Sequence, residues 1–584
     1  MIYGAILVLY RLPRRRSRAP RRSSGSPRGH RVRESRRPEP SGALVAIHRD
    51  GAFQALDEVG ALANIEVRYN AAAYDASSDN AGGSTRPMTR QLTVNPKKLR
   101  PYDEPPKRRR SLIPSGPDTA ATGFLVAATL WLAVSTGLGV LAIALRILPF
   151  DFSFPLLFGL EFTFSERRVD AAFINATVYG WLSNAGFAAV AFMTPRLLGK
   201  RIVAEPLLNL ALVIWNMSLA AGMASLYVFA LGPHAPLTAM SWLLTGGLAT
   251  AALIVTGVFV ITAGIALRSS YVSLWFAGIA LLALLGLLGL NAGLGMLSFV
   301  LDLPELTTAL VSAFIGQALM ALWLLGMAYA TLYYVVPRAV GQPLASGGLA
   351  LLAWLSWLAL APVSALVVLT DASVPFVITS LGAVAAMLLF VPAALTVVNL
   401  ALTMQGRWSL MFGAGATAFA AVSLAFLLGV SLLQAIGSLR LVHVAVARTE
   451  WETGVFIWAT YGAFTLAAFA LAEHALPRVM RRAWGGGLLS SAQLWLAFSG
   501  ATIAGLALMG AGMAESSLLS QGVAADALGA GVAPYRIVAF GGFGMVALAG
   551  LAMVVNLFLL YTSGEPVEYA VPDASAPAAA LAGH

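Results

Sequence analysis

From Thr119 to about residue 562 the sequence is a near-continuous succession of apolar blocks. Each is long enough, at 1.5 Å of rise per residue, to cross roughly 30 Å of hydrocarbon as a helix. Twelve spans are expected, at about 119–148, 171–197, 204–232, 238–267, 271–301, 306–335, 346–370, 374–404, 409–438, 454–476, 487–514 and 536–562. With 58% hydrophobic and 11% charged residues, the chain cannot build a soluble surface. The expected fold class is therefore an all-α polytopic membrane protein.

One block sets the pattern for the rest. FINATVYGWLSNAGFAAVAFMTPR, from Phe173 to Arg196, ends on Pro195-Arg196, and the same ending returns at Pro337-Arg338 and Pro477-Arg478. A period of about 140 residues suggests an internal repeat. In so apolar a chain that length holds four spans, so the marked helices are the second, sixth and tenth of twelve. Three sets of four make a pseudo-threefold ring. Taken singly, each Pro-Arg also suits a helix ending at lipid headgroups, where arginine snorkels.

Charge placement sets the topology. Arg196, Lys200, Arg201, Arg268, Arg338, Arg407, Arg478, Arg481 and Arg482 lie in even-numbered connections, and Lys107 to Arg110 precede the first span. Odd connections carry most of the acids, among them Asp151, Glu166, Asp170, Glu450, Glu452, Glu515 and Asp526. Basic residues are retained inside, so an even span count with both termini cytoplasmic is expected. The net charge of +11 sits mostly before residue 110 and at span ends. That favours anionic lipid over nucleic acid as the partner.

Residues 1–112 are too rich in Arg, Ser, Pro and Gly to fold and are expected to be disordered, with Met88 as an alternative start. The membrane domain is assigned to 113–564 and a second disordered tail to 565–584. There is no cysteine, so thiolate ligands and disulfides are excluded within the chain. Of six histidines, His30, His48 and His584 fall in the tails. His234, His443 and His474 are expected in loops or at span ends, solvated or interfacial. No ionisable residue is expected at mid-span. Interior Asn175, Asn184, Asn216, Asn291, Gln317, Asn399, Gln434, Gln493 and Asn556 are expected to join helices by hydrogen bonds. Glu450 and Glu452 are expected at a solvated helix entrance.

The pattern as a whole resembles subunit I of the heme-copper oxidase superfamily, closest to the C-family (cbb-type) cytochrome c oxidases and the nitric oxide reductases. The resemblance rests on Asn175-Ala176, Tyr179-Gly180-Trp181 and Asn184-Ala185 in the second span. It rests equally on Tyr333-Tyr334 with Pro337-Arg338-Ala339-Val340-Gly341-Gln342-Pro343, on the eighth span from Val374-Pro375 to Asn399, and on Trp451-Glu452-Thr453-Gly454. It covers about 119 to 514, with the last span matched by position alone. It implies heme and copper, held by histidines. The implied heme-ligand positions here are Phe173, Val455 and Ile457. The implied copper-ligand positions are Gln317 (or Ala318), Val367 and Val368. None of these is a ligand of the required kind. The family's redox tyrosine has no counterpart between Tyr334 and Tyr461.

The expectation is therefore a subunit I-like protein without catalytic residues, heme or copper, its former ligand sites packed with hydrocarbon. It would serve as an assembly or accessory subunit beside other respiratory membrane subunits, in a prokaryotic inner membrane. Two alternatives stand beside it: a transporter or channel for a small neutral solute, and an active terminal oxidase, disfavoured by the missing histidines.

Overall fold

The computed structural model describes residues 117–566 except 157–159, 230–235, 371–373, 414, 485–486 and 525–526. The expected disordered segment 1–112 and nearly all of the tail 565–584 lie outside the described residues. So do His30, His48, His234, His584, Asp526 and the basic run Lys107 to Arg110.

Twelve long helices are described. They are α1 (Thr119–Ile147), α2 (Glu166–Asn175, Ala176–Leu182 and Ser183–Leu198 in one unbroken run), α3 (Glu205–Val228), α4 (Trp242–Ala263), α5 (Val272–Leu301) and α6 (Glu305–Val340). There follow α7 (Gly347–Ser364), α8 (Phe376–Thr403), α9 (Ala416–Gly437), α10 (Glu450–Met480), α11 (Gly487–Ser520) and α12 (Leu528–Ser563). Eleven of them are long and apolar enough to cross a membrane by composition alone. The exception is α2, whose Asn175, Thr177, Ser183 and Asn184 lower its hydropathy, yet all four are fully buried. Burial inside protein is what allows so polar a span.

The outer helices pack in the order α1, α3, α4, α5, α7, α8, α9, α11, α12 and back to α1, closing a ring around α2, α6 and α10. Between Ala171 and Pro195 only Ile174 keeps appreciable exposure. The expected twelve-helix ring is thus the observed one. One element was not expected, a two-stranded antiparallel hairpin of β1 (Phe152–Pro155) and β2 (Glu161–Phe164) between α1 and α2. Its Phe152, Phe154, Phe162 and Phe164 stack in a ladder that continues onto Tyr227.

The repeat is visible in backbone detail. Each central helix contains one π-helical segment: Ala176–Leu182, Leu319–Leu324 and Trp458–Phe464. Each is followed by a 16-residue α-helix that runs through the proline and stops three residues beyond it, at Leu198, Val340 and Met480. The return from π to α spacing leaves one carbonyl without its helical partner. In two copies a tryptophan from a neighbouring helix supplies the donor, Trp215 Nε1 to Tyr179 O at 2.8 Å and Trp357 Nε1 to Ala321 O at 2.9 Å. Proline likewise frees the carbonyl four residues before it. Tyr271 donates to Tyr333 O at 3.0 Å, and Trp484 Nε1 donates to Glu473 O at 3.1 Å. The helices then close on left-handed residues, Gly199, Gly341 and Arg481.

Candidate functional site at the central helices

The positions singled out on the three central helices lie just before the π segments. Phe173 is three residues before the first, Ala318 directly before the second and Ile457 directly before the third. π segments often mark functional sites.

Phe173 is buried within a closed aromatic cluster. Its ring stacks parallel to Tyr461 at 6.1 Å and meets the edges of Phe456 at 6.0 Å and Phe543 at 5.6 Å. Tyr461 and Phe543 meet edge to face at 5.0 Å. These are the tilted and offset arrangements that aromatic quadrupoles favour. Gly139 of α1 makes room for them, since a Cβ there would sit 2.3 Å from the Phe543 ring and 2.7 Å from that of Phe173. Ile457 is fully buried and Val455 half-buried. Below the cluster, Tyr461 Oη bonds with Thr177 Oγ1 at 2.8 Å and donates to Ser135 Oγ at 3.2 Å. The sequence reading missed Phe456, Tyr461 and Phe543. Their partners come from three different helices, and no spacing along one helix announces them.

Gln317 is half-buried and Ala318 fully buried on α6. The tight turn Ala365–Leu369, which carries Val367 and Val368, packs against the same stretch of α6. The backbone of Val367 is pressed on Gly382 of α8, where a Cβ would lie 2.6 Å from Val367 N. The two segments that the sequence resemblance relates to copper positions therefore pack together, and their side chains are hydrocarbon and one amide.

The interior amides mostly behave as expected. Asn184 and Asn216 exchange bonds at 3.1 and 3.2 Å, and Asn216 accepts from Trp131 Nε1 at 2.7 Å. Asn175 donates to Pro236 O at 2.7 Å, and Asn399 bonds both backbone groups of Ser346. These are fastenings between elements.

At the end of the central helices that carries the arginines, three rings meet on the pseudo-threefold axis. Phe192, Tyr334 and His474 pack pairwise edge to face, with centroids 5.8–6.1 Å apart. Four residues after each comes an arginine that donates to the carbonyl of its own ring residue: Arg196 to Phe192, Arg338 to Tyr334 and Arg478 to His474. Arg196 and Arg338 also lie 3.8 Å over the rings they follow. Arg196 is further held by both oxygens of Asp118, at 2.8 and 2.9 Å. This corrects the expectation for His474. It is 4% exposed rather than solvated, because α10 continues through Pro477 and carries position 474 onto the axis. His443, in the short helix Arg440–Val446, is half-buried.

The opposite end is held by charge. Arg146 of α1 pairs with Asp170 of α2 at 2.9 Å and reaches Glu166 at 3.7 Å. Arg536 of α12 pairs with Glu450 of α10 at 2.6 Å and with Glu515 of α11 at 3.6 Å, and donates to Arg146 O at 2.9 Å. Glu515 in turn accepts from the Glu450 backbone N–H. Glu450 is therefore buried in an ion-pair network, and only Glu452 fits the expected solvated entrance. The burial of Glu450 is not legible along the chain because its cationic partner, Arg536, lies 86 residues away in sequence.

The family model for cytochrome c and quinol oxidase polypeptide I matches residues 119–543. The chain belongs to that family. Among solved structures it is similar to a heme-copper terminal oxidase dimer determined by cryo-EM. That match has a TM-score of 0.63 and 15% identity, and covers 80% of this chain and 89% of the other. At that identity the likeness speaks for the fold. No curated protein matches the chain.

The oxidase polypeptide I family implies heme and copper. Heme iron needs imidazole, thiolate, thioether or phenolate, and copper of this type needs imidazoles. Phe173, Val455, Ile457, Val367 and Val368 offer only hydrocarbon, and Gln317 an amide. Among the described residues, no three His, Cys, Asp or Glu side chains come together as a metal-holding group. The residues at these positions do not fit the two cofactors.

Proposed function

We propose that this protein is a cofactor-free relative of oxidase subunit I, nearest the C-family, that works as an assembly or accessory subunit of a respiratory membrane complex. The observation that carries the reading is the aromatic cluster at Phe173. A scaffold relieved of a heme must fill the volume, because a cavity of that size would be destabilising. Phe173, Phe456, Tyr461 and Phe543, fitted against a glycine, supply the filling. On this reading Phe173, Val455 and Ile457 stand where heme ligands stood, and Gln317, Val367 and Val368 where copper ligands stood. The arginine end faces the cytoplasm of a prokaryotic inner membrane, with both termini on that side.

The accessory role is tested by purifying the tagged chain from native membranes in a mild detergent. The reading expects heme-bearing respiratory subunits to co-purify, with all heme leaving when those subunits are stripped away. A chain that purifies alone in substoichiometric traces of partner contradicts the role.

A further inference from the structure

On the flank of α10 that meets Ser490 of α11, one turn before Pro477, lies a carboxyl group that the described ion pairs leave unused. Glu473 is 9% exposed and lies seven residues inside the end of α10. At 1.5 Å per residue that is roughly 10 Å from the helix end. Its Oε1 accepts from Ser490 Oγ of α11 at 2.7 Å. One turn further along α11, the fully buried Gln493 accepts from Asn556 of α12 at 3.1 Å and approaches Met553 Sδ at 3.6 Å. Ser490, Gln493 and Asn556 thus form a neutral polar seam leading away from Glu473, in a part of the ring remote from the Phe173 cluster.

Among the described residues, no cation pairs with the carboxyl. His474, next in sequence, points to the axis between Phe192 and Tyr334. Arg478 is turned to its own helix, donating to His474 O. Arg482, in the loop after α10, donates to Gly564 O, and Glu565 is exposed at the same chain crossing. The group that reaches its carboxyl from α11 is the Ser490 hydroxyl, and the loop contributes the Trp484 indole to its carbonyl. The described ion pairs of the chain do not include it. A carboxylate in apolar surroundings with a single hydroxyl partner is costly, and adding a proton removes the cost.

We propose that Glu473 is a membrane-embedded proton-binding site, holding one exchangeable proton as the neutral acid and trading it with the aqueous phase at the arginine end, beneath Trp484. The site stands apart from the reading of the Phe173 cluster, since it uses none of those residues. A neutral buried acid is also the form that adds to dicyclohexylcarbodiimide. The acid proton goes to one carbodiimide nitrogen and the carboxyl oxygen bonds to the central carbon. Acyl migration to nitrogen then leaves a stable N-acylurea, with the whole reagent added and nothing lost.

The test uses the full chain in liposomes at neutral pH. Infrared difference spectra of wild type minus Glu473→Gln should show a protonated-carboxyl C=O band that shifts in D2O and moves to higher frequency in Ser490→Ala. Dicyclohexylcarbodiimide should label the Glu473 peptide by mass spectrometry, less so as pH rises, while a water-soluble carbodiimide leaves it untouched. Should Glu473→Gln fail to fold, the wild-type labelling map decides alone. A Glu473 peptide recovered unlabelled, or a carboxylate band in place of the acid band, would overturn the proposal.

Discussion

The two ends of the central helix trio are built on different principles. At the arginine end the same device occurs three times, with ring residues at 192, 334 and 474 and arginines at 196, 338 and 478. Each arginine donates to the carbonyl of the ring residue on its own helix, and Arg196 is held by Asp118 as well. At the acid end the ion pairs among the described residues do not repeat. Two guanidiniums and four carboxylates from five helices are joined, and beneath them one aromatic cluster fills a space that has no threefold counterpart among the described residues. Contacts between equivalent positions can be copied with the repeat, as the axial rings and the Trp215 and Trp357 bonds are, whereas an ion pair between unlike helices is made once. The repeat therefore survives where the three equivalent helices meet one another or equivalent neighbours, and the specific chemistry of the chain is concentrated at the acid end, where the ion pairs join unlike helices.

The contrast can be broken at its strongest point first. Arg536→Met leaves Glu450 buried without its cation, and removing one partner of such a pair costs about 3–5 kcal/mol. A large fall in the thermal midpoint of the detergent-solubilised chain is expected, and a midpoint unchanged within error would show the network to be ornamental. Phe173→Ala follows, opening a cavity worth about 3 kcal/mol or slightly more. Partial rescue by a small apolar aromatic such as benzene would sharpen the cavity account. In the repeated region Trp357→Phe strands the Ala321 carbonyl, at about 1–3 kcal/mol. The smallest effect is expected from Arg338→Ala, where the lost cation–π contact is worth about 0.5–1 kcal/mol at a partly exposed site. If Arg338→Ala proved as damaging as Arg536→Met, the distinction between the two ends would fail.

The same distinction explains what the sequence could say. The twelve spans and the repeat follow from hydropathy and from three Pro-Arg pairs at near-equal spacing. The π segments ATVYGWL and WATYGAF share Ala-Thr and Tyr-Gly, but LMALWL has neither pair, so no one pattern announces all three. His474 was misplaced because proline was read as the end of α10, when the helix continues to Met480. Phe456 and Phe543 belong to a cluster assembled across helices, so their neighbours along the chain carry no trace of it. The hairpin is a different matter. Phe152-Ser153-Phe154 and Phe162-Thr163-Phe164 alternate with the period of a strand, and that signal was present but overshadowed by the apolar spans on either side.

The claim on which the rest depends is that aromatic side chains have taken the place of a heme. It is tested most directly by expressing the chain in a host supplied with heme precursor, isolating it from all partners, and measuring its absorption spectrum with iron per chain. The account predicts no Soret or α band and iron far below one atom per chain. A Soret band with stoichiometric iron would contradict it.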